Sequence, residues 1–277
     1  MAKLISCILA VFLAAGCARP VYTAKSDLET AYMHGNVAKV METVIDDPRS
    51  GVPPRRLADF DVYTEITYNR AGNIVLMESF RGPDSLHFVK EEFFYDPAGK
   101  KMVRSVSHNL RKNSARTLEY EYDARGNLTG ESETTGAYSM EYGYDRRGYL
   151  REERNTAQSV DVYNEETDGT IKYRYDSRGR LTRIKGNPPK RYSYHRNGVV
   201  AEIHSGKDVV ERYDERGNLV DVTNIIKRTD EKGREKGSFA ASITAVYEYD
   251  DRGNWIKRTQ MYEGATAAVT FREIKYY

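Results

Sequence analysis

The chain has 277 residues, and its 43 Lys and Arg nearly balance 41 Asp and Glu, so net charge offers no general attraction to nucleic acid. The length admits one large or two small domains. Past the N-terminus no apolar run is long enough to span a bilayer as a helix.

Residues 1–16 read as a lipoprotein signal peptide. Lys3 gives a short positive region, and Leu4 to Leu13 an apolar segment too short to cross a membrane. Leu13-Ala14-Ala15-Gly16-Cys17 then fits a lipobox, which makes Cys17 the lipidation site and first residue of the mature chain. Acyl chains such as palmitate each add about 0.8 kcal/mol of membrane affinity per buried CH₂. Cys7 leaves with the signal, so no disulfide is available. Removing Lys3 leaves 42 basic against 41 acidic side chains, a net of +1. Ala18, rather than Asp, follows the cysteine, and no acidic export run comes after it. Both features favour the outer membrane and its periplasmic face over the cell surface.

Residues 17–35 form the anchor and tether. Ser26-Asp27-Leu28-Glu29 fits a capping box, which predicts a short helix to about Met33. Gly35-Asn36-Val37 matches the end of a motif met repeatedly below, but its first half is missing. Val37 to Ile45 is expected to be the first strand; the alternative is one amphipathic helix over 26–45, interrupted by Gly35. Three prolines between Asp46 and Asp59 mark a connection.

From there the chain keeps rewriting Tyr122-Asp123-Ala124-Arg125-Gly126-Asn127-Leu128. Close copies begin at Tyr213 and Tyr249, looser ones at Tyr68, Tyr95, Tyr144, Tyr175 and Tyr194. Asp opening a type I turn accepts from a backbone amide two residues on, and a closing Gly supplies positive φ. The pairs Asp96/Gly99, Asp123/Gly126, Asp145/Gly148, Asp176/Gly179, Asp214/Gly217 and Asp250/Gly253 are therefore turn-forming residues of β-hairpins. In that geometry each Tyr faces the residue two past Gly, such as Leu128, Leu150 or Trp255. A second ring often lies two residues earlier on the same face, which accounts for 22 Tyr beside a single Trp. Other turns lie between, at Thr135-Gly136, Asp168-Gly169, Asn187–Lys190 and Ser205–Lys207. Asp230–Gly233 is a worn extra copy whose charged surroundings, Lys227 to Lys236, suit a solvent-exposed hairpin tip. Residues 36–277 thus read as all-β: an extended, twisted antiparallel meander of about 16–18 short strands behind a short N-terminal helix and tether. A transmembrane barrel is excluded by stretches such as Arg151–Arg154, which put charge on both faces.

The Tyr-Asp-x-x-Gly-Asn-Leu pattern, from Tyr68 to Trp255, resembles the YD repeat, also called the RHS-type repeat. That resemblance implies antiparallel hairpins in extended, coiled sheets at bacterial surfaces, which in the longest members form shells around toxins. This chain is much shorter, and nothing after Trp255 looks like the conserved core or toxin that follows such arrays. It is closer to small lipid-anchored YD-repeat proteins of Bacteroidetes-type bacteria.

Chemistry is sparse. The five His are scattered without zinc spacing, and one carboxylate per turn falls short of a calcium loop, so neither metal nor cofactor is expected. No nucleophile elbow, phosphate loop or dinucleotide fingerprint occurs. Arg precedes Gly in five copies, and Arg125, Arg147, Arg178, Arg216 and Arg252 form a candidate ligand-binding rim for a polyanionic glycan or acidic protein. A solvated position that balances the nearby Asp explains the same arginines. The expected function is a noncatalytic cell-envelope lipoprotein offering a sheet surface to glycan or protein. The alternatives are a component of an RHS-like toxin or immunity system, and an envelope glycan hydrolase with two facing carboxylates.

Overall fold

The computed structural model describes residues 26–45, 62–81, 86–156, 170–229 and 235–277. The signal peptide, Cys17, the tether to Lys25, the Pro-rich connection and the turns at Asp168-Gly169 and Asp230–Gly233 lie outside the described residues. One helical turn, α1 (Asp27–Thr30), precedes eighteen strands. The first nine are β1 Val37–Ile45, β2 Val62–Tyr68, β3 Ile74–Arg81, β4 Leu86–Tyr95, β5 Met102–Asn109, β6 Ser114–Tyr122, β7 Leu128–Glu133, β8 Ser139–Tyr144 and β9 Leu150–Asn155. The rest are β10 Thr170–Tyr175, β11 Leu181–Lys185, β12 Lys190–Tyr194, β13 Val200–Ser205, β14 Val209–Tyr213, β15 Leu219–Thr229, β16 Glu235–Tyr249, β17 Trp255–Tyr262 and β18 Ala265–Tyr276.

Consecutive strands pair antiparallel throughout, and β1 pairs with both β2 and β18. The sheet therefore closes into an 18-stranded barrel. This corrects the expectation of an extended, open meander, since the ring leaves no long free edge. The closing seam is long, running from Val37↔Tyr276 to Ile45↔Val269.

Each of the eight repeat bends joins an even-numbered strand to the next, so all eight lie at one rim. In each, the Tyr pairs two residues past the Gly (three in the longer β4–β5 bend), as in Tyr122↔Leu128 or Tyr249↔Trp255, and a bulge follows. The bulge resets the alternation, so the residue three past Leu128, Glu131, shares the face of Tyr120. The face carrying these tyrosines is the better buried and turns inward; on β10, Tyr173 is buried while Lys172 and Arg174 are exposed. The opposite face is laced with cross-strand pairs such as Arg212–Asp221 at 2.6 Å and Lys257–Glu248 at 2.6 Å. Ion pairs on that face are ill suited to contact with hydrocarbon.

Two small apolar clusters line the inside. One joins Leu28 of α1 to Val37, Val40 and Tyr68, and the other joins Leu150, Tyr173, Leu181 and Ile184. Eighteen strands enclose more space than such side chains fill. Packing is therefore concentrated in the wall.

Candidate functional site

The repeat-bend rim is built by the acidic turn chemistry. The Asp123 carboxylate accepts from the Arg125 amide at 2.9 Å and the Asn127 amide at 2.8 Å, and Gly126 adopts φ +85°. Asp145, Asp176, Asp214 and Asp250 repeat both amide bonds, and Asp96 accepts from Lys100 and Lys101 in its longer bend. Donated bonds stabilise the ionised form. The Lys100 amide at Asp96, the Asn127 side chain at Asp123 and the Arg180 amide at Asp176 thus hold those carboxyls below the usual range. Gly99, Gly148, Gly179, Gly217 and Gly253 also take positive φ.

Tyrosine hydroxyls lock one bend to the next. Tyr95 donates to the Ile74 carbonyl at 2.8 Å, Tyr122 to Met102 at 2.8 Å, Tyr144 to Leu128 at 2.8 Å and Tyr194 to Leu181 at 2.6 Å. Burial raises the phenol pKa of Tyr144, and that of Tyr194 to about 12. These rings are wall, held by their own sheet.

The five arginines singled out by the repeat stand on this rim, and all are exposed. Their partners differ. Arg216 lies over the Tyr249 ring at 4.4 Å and Arg252 over Tyr276 at 3.8 Å, both on the following copy. Arg147 stacks on Tyr149 at 4.8 Å and reaches Asp145 at 3.3 Å. At Arg125 and Arg178 the recorded bonds to the bend aspartate come from the backbone amide. The other three bends carry exposed Arg70, Lys100 and Arg196, which the Arg-before-Gly pattern missed because Arg70 and Arg196 sit one place early and Lys100 follows its Gly. Every bend therefore presents at least one exposed cation.

Segment 26–36 runs across this same end. The Leu28 amide donates to the Gly72 carbonyl at 3.0 Å, and the Ile74 amide to Asp27 at 2.8 Å. Farther round, the Tyr32 ring fills the space beside Gly217, and the Asn254 side chain bonds both the amide (2.7 Å) and carbonyl (2.8 Å) of His34. A cleft of about 260 Å³ lies between this segment and the first bend, lined by Ser26, Met33, Asn69 and Tyr277.

Sequence reading also missed a set of inward carboxylates. Glu131 accepts from Tyr138, and burial raises Tyr142, which bonds the same glutamate. Burial likewise raises the Glu153 carboxyl, against a bond from Tyr173. Tyr213 donates to Glu211 at 2.8 Å. The missed signal is the bulge: Glu131 and Glu153 lie three past Leu128 and Leu150, which strict alternation would place outside. Glu131 and Glu153 are near enough to repel, but each is engaged by phenols. Among the described residues no three His, Cys, Asp or Glu cluster to hold a metal.

No family model matches the chain, and no curated protein matches it. Among solved structures, the TcdB2–TccC3 complex without its hypervariable C-terminal region is 15% identical over 76% of this chain, with a TM-score of 0.30. The Photorhabdus luminescens Tc holotoxin pore is 14% identical over 76%, with a TM-score of 0.28. This chain spans 14% of the length of either. A porin-like protein from Bacteroides uniformis is 11% identical over 86% of this chain and 96% of its own, with a TM-score of 0.39. At such scores none of them fixes the architecture, which rests on the strand pairings.

Proposed function

We propose that the chain is a noncatalytic, lipid-anchored protein of the bacterial cell envelope, held at the periplasmic face of the outer membrane through acylated Cys17. Its barrel is a binding module for glycan or envelope protein. The observation that carries this reading is the distribution of side chains around the ring. Cross-strand ion pairs lace the outer face, tyrosines line the inner face together with a few buried charges, and one rim gathers an exposed cation from every bend. Arginine suits such a surface, since its planar fork pairs with carboxylate and phosphate.

The test is glycan-array binding of the mature chain, with pull-down from envelope extract. Retention of an anionic glycan or a single envelope protein, weakened by Arg125→Gln with Arg178→Gln, is the expected result. Clean blanks in both assays would refute the binding role.

A further inference from the structure

We infer that the repeat-bend rim is the membrane-facing end of the barrel, and that its cations dock on the phosphates of an anionic lipid surface. This rests on the anchor at Cys17 proposed above. Ser26 lies against Gly72 on this rim, where a Cβ would come 2.9 Å from its hydroxyl. Only residues 18–25 separate Ser26 from Cys17. Fully extended, that stretch reaches at most roughly 30 Å. A tether that leaves from this rim keeps it the nearer one to the bilayer.

Charge agrees with that orientation. The eight bends, counted from the Asp position to the residue before each returning strand, hold eleven basic and eight acidic side chains. Six of the acids are the bend aspartates at 96, 123, 145, 176, 214 and 250, folded back on their own amides. In α1, Asp27 is bonded to the Ile74 amide and Glu29 to Ser26. Nine of the eleven cations are instead exposed, at least one per bend. A ring of cations meets a plane of phosphates at several points at once.

The single tryptophan supplies the probe, because Trp255 opens β17 directly behind the Asp250–Asn254 bend. The full acylated chain is reconstituted in phosphatidylcholine vesicles, with and without phosphatidylglycerol, carrying a headgroup spin label. Trp255 emission should be quenched, and more strongly with phosphatidylglycerol. In R125Q/R146Q/R178Q/R196Q the docking equilibrium, read from quenching against phosphatidylglycerol content, should fall about fivefold per arginine removed. R111Q/K112Q, on the β5–β6 turn at the opposite rim, should change nothing.

Mass spectrometry of the N-terminus reads acylation separately. Acylated Cys17 without quenching, or quenching untouched by the four substitutions, overturns the docking. Absent quenching together with retention on an anionic glycan assigns the rim to glycan instead, and also overturns it. If Cys17 is unmodified, the anchor fails, and docking is then decided by whether that chain sediments with anionic vesicles.

Discussion

Glycine at a bend answers two separate demands, and the eight bends let them be told apart. Gly198 and Gly217 share almost the same backbone, φ +87° and +86°. A Cβ at Gly198 meets nothing within 4 Å, whereas at Gly217 it would lie 2.4 Å from the Tyr32 ring. Gly198→Ala should therefore cost only left-handed strain, about 1–2 kcal/mol. Gly217→Ala should cost about 1 kcal/mol more from the clash, an excess that vanishes in a Tyr32→Ala background. Urea unfolding of the four chains checks this, and equal costs in the wild-type background would show that Tyr32 does not sit there. Carboxyl groups set a pH signature at the same scale. Asp96, Asp123 and Asp176 have folded pKa values below their unfolded ones. Their stabilisation is complete above the usual aspartate range and is lost as pH falls below it through the folded value. Glu91 and Glu153 are raised by burial, so their contribution runs the other way. It is intact below the unfolded glutamate pKa and is lost as pH rises through the folded value. Tm should accordingly peak in mildly acidic solution, and Glu153→Gln should flatten the decline toward neutrality. A wild-type Tm that rises steadily into neutral pH would contradict this.

Among the elements, β1 and β18 reveal a ninth copy of the repeat, divided between distant parts of the chain. Val37 pairs with Tyr276 and a bulge follows, just as Leu128 pairs with Tyr122. The Tyr277 amide donates to the Asn36 carbonyl at 2.9 Å, as the Asp123 amide does to Asn127. Gly35-Asn36-Val37 was legible as half a motif; its other half could not be found by reading onward, because it lies at Tyr276-Tyr277. The Tyr276 hydroxyl donates to Asp250 at 2.5 Å and accepts from Asn254 at 2.8 Å, so the divided copy is tied to its neighbour. Tyr276→Ala should cost about 3 kcal/mol. Tyr262→Ala, at an exposed strand end, should cost under about 1 kcal/mol. Thermal unfolding of the two variants decides it, and similar losses would argue against a structural role for the seam tyrosine. The arginines show a parallel limit: their shared rim follows from the spacing, but Arg216 and Arg252 stacking on the next copy depends on how hairpins sit side by side.

For the molecule as a whole, the consequential pairing is the one between most distant strands. Seventeen of the eighteen pairings join strands consecutive in sequence, and turn chemistry or short connections specify most of them. Closure depends on β1 meeting β18, which no local signal encodes; it emerges from twist accumulated over every hairpin. The all-β character was thus readable from residues, and the ring was not. Deleting residues 37–45 should leave β2 and β18 with open edges and raise the mass through edge-paired oligomers. Light scattering would show the change in mass, and a deletion with the mass state of the intact chain would mean the edges are shielded otherwise. The seam also orders events in time. Whatever part of the polypeptide emerges first, its opening strand waits for residues 265–276 before both of its sides are satisfied. A cylinder lacking its last stave cannot shut, so completion of the wall is postponed to the final step of synthesis.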